Sequence, residues 1–181
     1  MGRGSFSSFI PISSGTARVS WSDEFYGIDD YEFRKGKSIQ WDPRNKLIFS
    51  EYGIADDFLA HVHPSATVIS KKMKHILENE LKINGLEFYP VPVVSKDGKT
   101  KIEGYYVMNI LNIVRDALDR DNSLIDISDT GGVRTETVLK YCLKENKIKN
   151  FDVFRIGDGR LFVSSRVKDA FDKAHVTGIA Y

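Results

Sequence analysis

The chain has a single cysteine, Cys142, in 181 residues. One thiol excludes an internal disulfide framework and suits a reducing compartment. Within "TVLKYCLKEN" Cys142 reads as a small packed strand residue. A dominant charge is lacking too, since 26 basic residues stand against 25 acidic ones for a formal net charge of +1. No whole-molecule field draws in nucleic acid or an anionic membrane, and a nucleic-acid reader would need a local patch. No apolar run is long enough to span a bilayer, and "MGRGSFSSFIPISSGTARVS" lacks the apolar stretch of roughly 7–15 residues found in a secretory signal. Its start approaches a myristoylation motif but has Phe6 where Ser or Thr is required. The expected location is the cytoplasm, with residues 1–16 a flexible tail.

Catalytic signatures are equally scarce. No Ser, Cys or Lys sits in a nucleophile motif, and "GDG" at 157–159 is too short to cradle a phosphate and lies inside a hairpin signal. Asp129-Thr130-Gly131 in "LIDISDTGG" matches the three letters of an aspartic-protease motif, but that chemistry needs two carboxylates sharing a proton, and the chain carries one copy. A Gly-rich connecting turn explains it better. His61 and His63 in "HVH" would point the same way if extended and could begin a zinc site, yet no third ligand stands at motif spacing. The expectation is therefore no enzyme, no cofactor and no metal. The competing reading is a small hydrolytic or modification-removing enzyme acting near His61, His63 or Asp129.

What is present is apolar material, 41% of residues, with 12% aromatic, enough for a substantial core. It favours a single domain over residues 17–181, with 17–66 a candidate N-terminal subdomain. Strand formers cluster in "ARVSW", "YEFRKGKSIQWD" and "NKLIFSEY", while "GIADDFLAHVHP" reads as a helical turn stopped before Pro64. Asp97-Gly98 between apolar runs is a strong hairpin signal, and Gly157-Asp158-Gly159 is a second. Ile113, Val114, Ala117 and Leu118 are spaced for a turn or two of helix; one or two strands with turns follow. Elements alternate without a βαβ rhythm. The predicted class is α+β, a mostly antiparallel sheet with hairpins.

One phrase is written twice, as "VISKKMKHILENELKINGLEFY" and "FVSSRVKDAFDKAHVTGIAY". Each reads as a strand ending at a Ser whose hydroxyl can cap the next helix, at Ser70 and at Ser164 or Ser165. Met73, Ile76, Leu77 and Leu81 share one helix face, and Val167, Ala170, Phe171 and Ala174 share the other copy's. Gly85 and Gly178 then turn the chain into a following strand. Two strand–helix–strand units result, from duplication or from one local solution used twice. Two units do not make a solenoid.

Two charge clusters stand out. Residues 23–32, "DEFYGIDDYE", hold five acids and no base among Phe25, Tyr26 and Tyr31. Acid with tyrosine suits contact with a basic partner, since carboxylates steer the encounter and tyrosines anchor it. Phe25, Tyr26, Asp29, Asp30, Tyr31 and Glu32 are the candidate partner-binding residues. The lysine run Lys140, Lys144, Lys147 and Lys149 reads as a protected strand edge.

Three stretches carry a resemblance: "VISKKMK…GLEFYPVPV", "YYVMNILNIVRDALDRDNS" and the ending "FDVFRIGDGRLFVSSRVKDAFDKAHVTGIAY". Together, over roughly residues 45–181, they resemble a bacterial family once of unknown function and now placed among the immunity proteins of polymorphic-toxin systems, immunity family eleven. The resemblance implies an antitoxin, encoded beside a secreted or contact-delivered toxin, that neutralises it by binding and occluding its active site. A nuclease is the expected kind of toxin. It implies a protein partner, no direct contact with nucleic acid or membrane, and no catalytic constellation. The repeated phrases would then be framework.

Overall fold

The computed structural model describes residues 6–8, 10–11, 18–22, 26, 28–51, 55–61 and 66–181. Among them the chain runs through β1 (Phe6–Ser8), β2 (Ile10–Pro11), β3 (Arg18–Trp21), a 3-10 helix (Asp30–Arg34), β4 (Leu47–Glu51), β5 (Phe58–His61) and β6 (Thr67–Ser70). Helix α1 (Lys71–His75) continues as a π turn (Ile76–Glu80) into β7 (Leu86–Val94), β8 (Lys101–Ile110) and β9 (Ile113–Val114). Then come β10 (Leu124–Thr130), β11 (Val133–Lys140), α2 (Glu145–Ile148), β12 (Val153–Ile156), β13 (Leu161–Ser164), α3 (Ser165–Lys173) and β14 (Ile179–Ala180). Strand dominates and the helices are short. No helix among the described residues is long and apolar enough to cross a membrane.

Six strands close into a barrel in the order β3-β4-β7-β8-β6-β5. Each puts a fully buried residue into one core: Val19, Leu47, Leu59, Val68, Val91 and Val107 in chain order, with Phe33 of the 3-10 helix packed against them. The alternate positions feed a second core. On β6 Val68 joins the barrel core and Ile69 the layer shared with both helices, where Met73, Ile76, Leu77, Val167 and Phe171 meet. The second sheet, β1-β13-β12-β9, packs Val153, Leu161 and Val163 on that same layer and Phe154, Ile156 and Phe162 on a third core beyond it.

Several elements depart from expectation. The sheets are mixed: β3 runs parallel to β5, β4 to β7 and β9 to β12. "DDFLAHVHP" supplies strand β5, because Phe58 and Leu59 are needed on opposite faces of the barrel wall, a two-residue period that a helix cannot provide. "NIVRDAL" gives the two-residue strand β9 and a turn; "YEFR" lies in the 3-10 helix, and Cys142 lies beyond β11, outside any strand. Lys147 sits on α2 and pairs with Asp116 at 2.6 Å, so it guards no strand edge. Inside the segment expected to be a tail, Phe6–Ser8 pairs along β13 and Ile10–Pro11 along β14. Both anticipated hairpins form, as β7–β8 and β12–β13.

The repeated phrase builds two matching corners. In the first, Ser70 accepts from Met73 N–H at 3.3 Å as helix cap, and its hydroxyl donates to Asp57 Oδ1 at 2.7 Å. Lys72 binds the other oxygen of Asp57 at 2.6 Å and donates to the carbonyl of His175, at the end of the other helix, at 3.0 Å. In the second, Ser164 donates to Asp152 Oδ1 at 2.8 Å. Arg166 binds Asp152 Oδ2 at 3.1 Å and donates to the carbonyl of Leu81, at the end of the first helix, at 3.0 Å. In each corner the serine N–H also donates to the aspartate's own carbonyl. Ser164, unlike the expectation, makes no side-chain cap.

The helices end alike as well. Lys82 and His175 both take positive φ, at 52° and 50°, three residues before Gly85 and Gly178. A Cβ on Gly178 would meet the Phe58 carbonyl at 2.4 Å, and one on Gly85 the Asn112 side chain at 2.4 Å. The first copy is one residue longer between its serine and its left-handed residue. The π turn absorbs that residue, with Leu81 N–H reaching the carbonyl of Ile76 five positions back.

Asp57 has a lowered pKa, since burial, which raises it, is outweighed by bonds from Lys72, Ser70 and the Thr177 N–H. Its stabilisation is therefore present above the usual value of 3.8 and fades as pH falls through the lower folded-state value. In denaturant titrations the gap between wild type and Asp57→Asn should stay constant above pH 5 and close below 3.8. A gap independent of pH down to acid unfolding refutes the carboxylate's role. Ser70→Ala should destabilise by about 1–2 kcal/mol, more than Ser164→Ala, because only Ser70 also caps its helix. Equal losses would remove the distinction.

Candidate functional site

The 3-10 helix is fixed from beneath. Phe33 is 1% exposed in the barrel core, and Gly36 lies so close to β9 that a Cβ there would stand 2.7 Å from the Leu111 carbonyl. The next residues are stitched to the barrel end. Tyr89 Oη accepts from the Ile39 N–H at 3.2 Å and donates to Glu87 at 2.5 Å, and the buried Asn109 donates to the Lys37 carbonyl at 2.8 Å and to Glu87 at 2.9 Å. Burial raises the pKa of Glu87, but bonds from Ser38, Tyr89 and Asn109 outweigh it and hold the carboxylate below its ordinary range.

The acidic cluster is divided by this scaffold. Tyr31 stands 59% exposed on the 3-10 helix. Asp29 is exposed, and its carboxylate caps the helix by accepting from Tyr31 N–H at 3.0 Å. Glu32 pairs with Lys35. Tyr26 is half-buried, its ring under the Arg44 guanidinium at 4.1 Å and its backbone bonded in both directions to the buried Asn45. Phe25, like His63, lies outside the described residues, as does the side chain of Asp30. Two of these carboxylates thus serve their own helix, and Tyr31 is the large exposed group of the cluster.

The enzymatic candidates fall in separate places. His61 ends β5 with its ring 4.6 Å from that of Trp21. Asp129 sits at the tip of β10, where it accepts from Gly132 N–H at 3.1 Å and shapes the Gly131-Gly132 turn. Among the described residues no group of three or more His, Cys, Asp or Glu is placed to hold a metal ion.

The strands and Gly-rich turn expected after Leu118 form a separate ribbon, whose exposed apolar groups sequence reasoning did not single out. Among the described residues β10 and β11 pair only with each other, from Leu124 opposite Lys140 to Thr130 opposite Val133. Leu124, Ile127, Val133 and Leu139 are 51–67% exposed on it, and with Tyr31 they are the large exposed apolar side chains among the described residues. A two-stranded ribbon is marginal alone. Its base is clamped where Cys142 N–H donates to Ser123 Oγ at 2.9 Å, Asp119 N–H to the Cys142 carbonyl at 2.9 Å, and Arg120 to Glu136 at 2.7 Å. The signal was present in the alternation of "LIDISDTGGVRTETVLK" around Gly-Gly, but alternation alone does not say which strands find a further neighbour.

Between the ribbon and the β12–β13 turn lies a groove of about 740 Å³. One wall carries Glu136, Thr137 and Val138 of β11, the other Tyr141, Asp158 and Arg160. Tyr141 donates to Asp158 at 2.6 Å, and its pKa is pushed up to about 12 by burial and by that bond. The groove continues through Arg115, Ile156 and Gly157 into a smaller cleft that reaches Tyr31. One face therefore runs from the 3-10 helix to the ribbon. It is open and carries mixed, partly paired charges, with Tyr31 exposed at the cleft, unlike an enclosed reaction chamber.

No curated protein sequence matches the chain. The profile of the Immunity protein family (Imm11) matches residues 15–181, which carries the likeness well upstream of residue 45 and takes in the acidic–tyrosine segment. With nearly its whole length matched, the chain belongs to the Immunity protein family (Imm11).

Proposed function

We propose that the chain is a cytoplasmic antitoxin that binds a cognate bacterial toxin, a nuclease being the expected kind, and blocks its active site without catalysis of its own. Family membership supports the immunity role. The observation that carries the binding reading is the exposure of large apolar groups outside the cores, Tyr31 at the cleft and Leu124, Ile127, Val133 and Leu139 on the ribbon that walls the groove. The contact expected is of standard size, about 800 Å² per partner. To that contact we assign the segment holding Phe25, Tyr26, Asp29, Asp30, Tyr31 and Glu32, of which Tyr31 lines the cleft. Tyr31 acts as anchor there, and the ribbon supplies further contact.

Co-expression with the toxin encoded beside it should yield a complex that survives purification and protects the host cell. Tyr31→Ala, and separately Val133→Asp, should each weaken the complex at least tenfold, about 1.4 kcal/mol, while leaving the unfolding midpoint unchanged. Both changes lie on exposed side chains, so normal folding with unaltered affinity would move the interface elsewhere.

The enzyme reading makes the opposite demand on different residues. Asp129→Asn and the double change His61→Ala, His63→Ala should leave protection intact. A folded variant of either kind that still binds the toxin but no longer protects would replace occlusion with chemistry.

A further inference from the structure

The small cleft between the 3-10 helix and the β12–β13 turn has a volume of about 80 Å³. Three of its lining residues are arginines, Arg34, Arg115 and Arg155, joined by Tyr31, Gly157 and Gly159, and none is acidic. Arg155 forms the floor, 4% exposed, with Nη1 donating to the Gly159 carbonyl and Nη2 to Thr67 Oγ1, both at 2.6 Å. Burial and the neighbouring Arg34 charge pull its pKa down to about 10, which still leaves it charged at neutral pH.

Among the described side chains, the nearby acids have partners elsewhere. Asp116 pairs with Lys147, Glu32 with Lys35, and Asp158 accepts from Tyr141 and from the Arg160 N–H. Among the described side chains, neither Arg34 nor Arg115 lies within ion-pair distance of a carboxylate, whereas Arg44, Arg120 and Arg166 each do. Convergent guanidinium groups repel one another, and the repulsion grows as water is withdrawn. Arg34 lies close enough to Arg155 for its charge to act on it, and an anion in the cleft would relieve that repulsion by accepting charged, directional N–H donors.

We propose that this cleft is an oxyanion site that receives an acidic side chain of the protein partner. The proposal rests on the binding reading above. Its volume equals two to three waters at about 30 Å³ each, room for a carboxylate head but not for a nucleobase. A nucleic-acid phosphate is disfavoured by the adjoining groove, which sets Asp116, Asp119, Asp121, Glu136 and Asp158 among Arg115, Arg120, Lys144 and Arg160 and so offers a polyanion no continuous basic track. A protein can present one acid to the cleft and bases to the groove.

The test begins on the free chain. Sodium sulfate and sodium acetate are titrated at constant ionic strength while the arginine side-chain N–H resonances are followed by NMR. Saturable shifts of the Arg34, Arg115 and Arg155 signals are expected, and their loss in Arg34→Gln/Arg115→Gln, two positions outside the core. No saturable shift overturns the site. A single-stranded oligonucleotide is titrated in parallel, and saturable binding that the double variant abolishes overturns the protein assignment in favour of nucleic acid. With the cognate toxin, the double variant should weaken the complex at least tenfold, with partial recovery in Arg34→Lys/Arg115→Lys. Unchanged affinity overturns the assignment to a partner's acid. Sulfate binding without toxin capture sustains the oxyanion site and sinks the toxin reading; toxin capture without anion binding does the reverse.

Discussion

A serine, an aspartate and a base two residues beyond the serine make the contact on which both halves of the molecule turn. Asp57 receives Ser70 and Lys72; Asp152 receives Ser164 and Arg166. Each base reaches on to the carboxyl end of the opposite helix, so neither corner is complete without the other unit. Reciprocity of this kind explains why the two helices share one core and why the barrel and the second sheet lie on either side of it. The first strand of each unit is also tied to the end of the other. Phe58 N–H donates directly to the Thr177 carbonyl, whereas Asn112 spans the second join, donating from one amide nitrogen to the carbonyls of Asn84 and Val153, both at 3.1 Å.

The copies differ where the chemistry differs. Counting from the aspartates, Ala60 of β5 corresponds to Arg155 of β12. Ala60 is a small residue in a barrel strand; Arg155 is a buried cation at the floor of a cleft. The backbone solution was kept and one wall position was given a guanidinium, at the desolvation cost that a buried charge carries. A position free to be alanine in one copy has no architectural need for arginine in the other. The same comparison gives the π turn its meaning as a single extra residue accommodated without disturbing the corner at either end.

Local features were legible in the sequence, and long-range closure was not. Ser70, Gly85 and Gly178, both hairpin turns and the helix faces of Met73, Ile76, Leu77, Val167 and Phe171 follow from short-range chemistry and periodicity. Barrel closure depends on parallel pairs between segments far apart in sequence, β4 with β7 above all, and no local pattern encodes these. Phe58-Leu59 misled because two adjacent apolar residues suit a helix turn as well as a wall buried on both sides. At the candidate site, Tyr31 could be picked from its acidic setting, but the capping duty of Asp29 and the Glu32–Lys35 pair needed the three-dimensional neighbours. Arg155 sits inside "FDVFRIG", where the apolar residues around it read as framework strand.

A net charge near zero is compatible with strong recognition because sign is arranged locally. Along the proposed face, an arginine cleft adjoins a groove in which five carboxylates stand among four bases, and Tyr31 is exposed at the cleft. A uniformly acidic antitoxin would attract any basic protein at long range, with little power to refuse the wrong one. An alternating pattern attracts weakly at distance and demands register at contact, since a partner shifted by a few ångströms would set like charges together. The rigid pieces that hold the pattern are the ones buried deepest: Phe33 under Tyr31, the Glu87–Asn109 network behind the 3-10 helix, and Thr67 beneath Arg155. Specificity on this face would thus be set by how firmly the barrel end and the second corner hold their charges in place, more than by how many charges the surface displays.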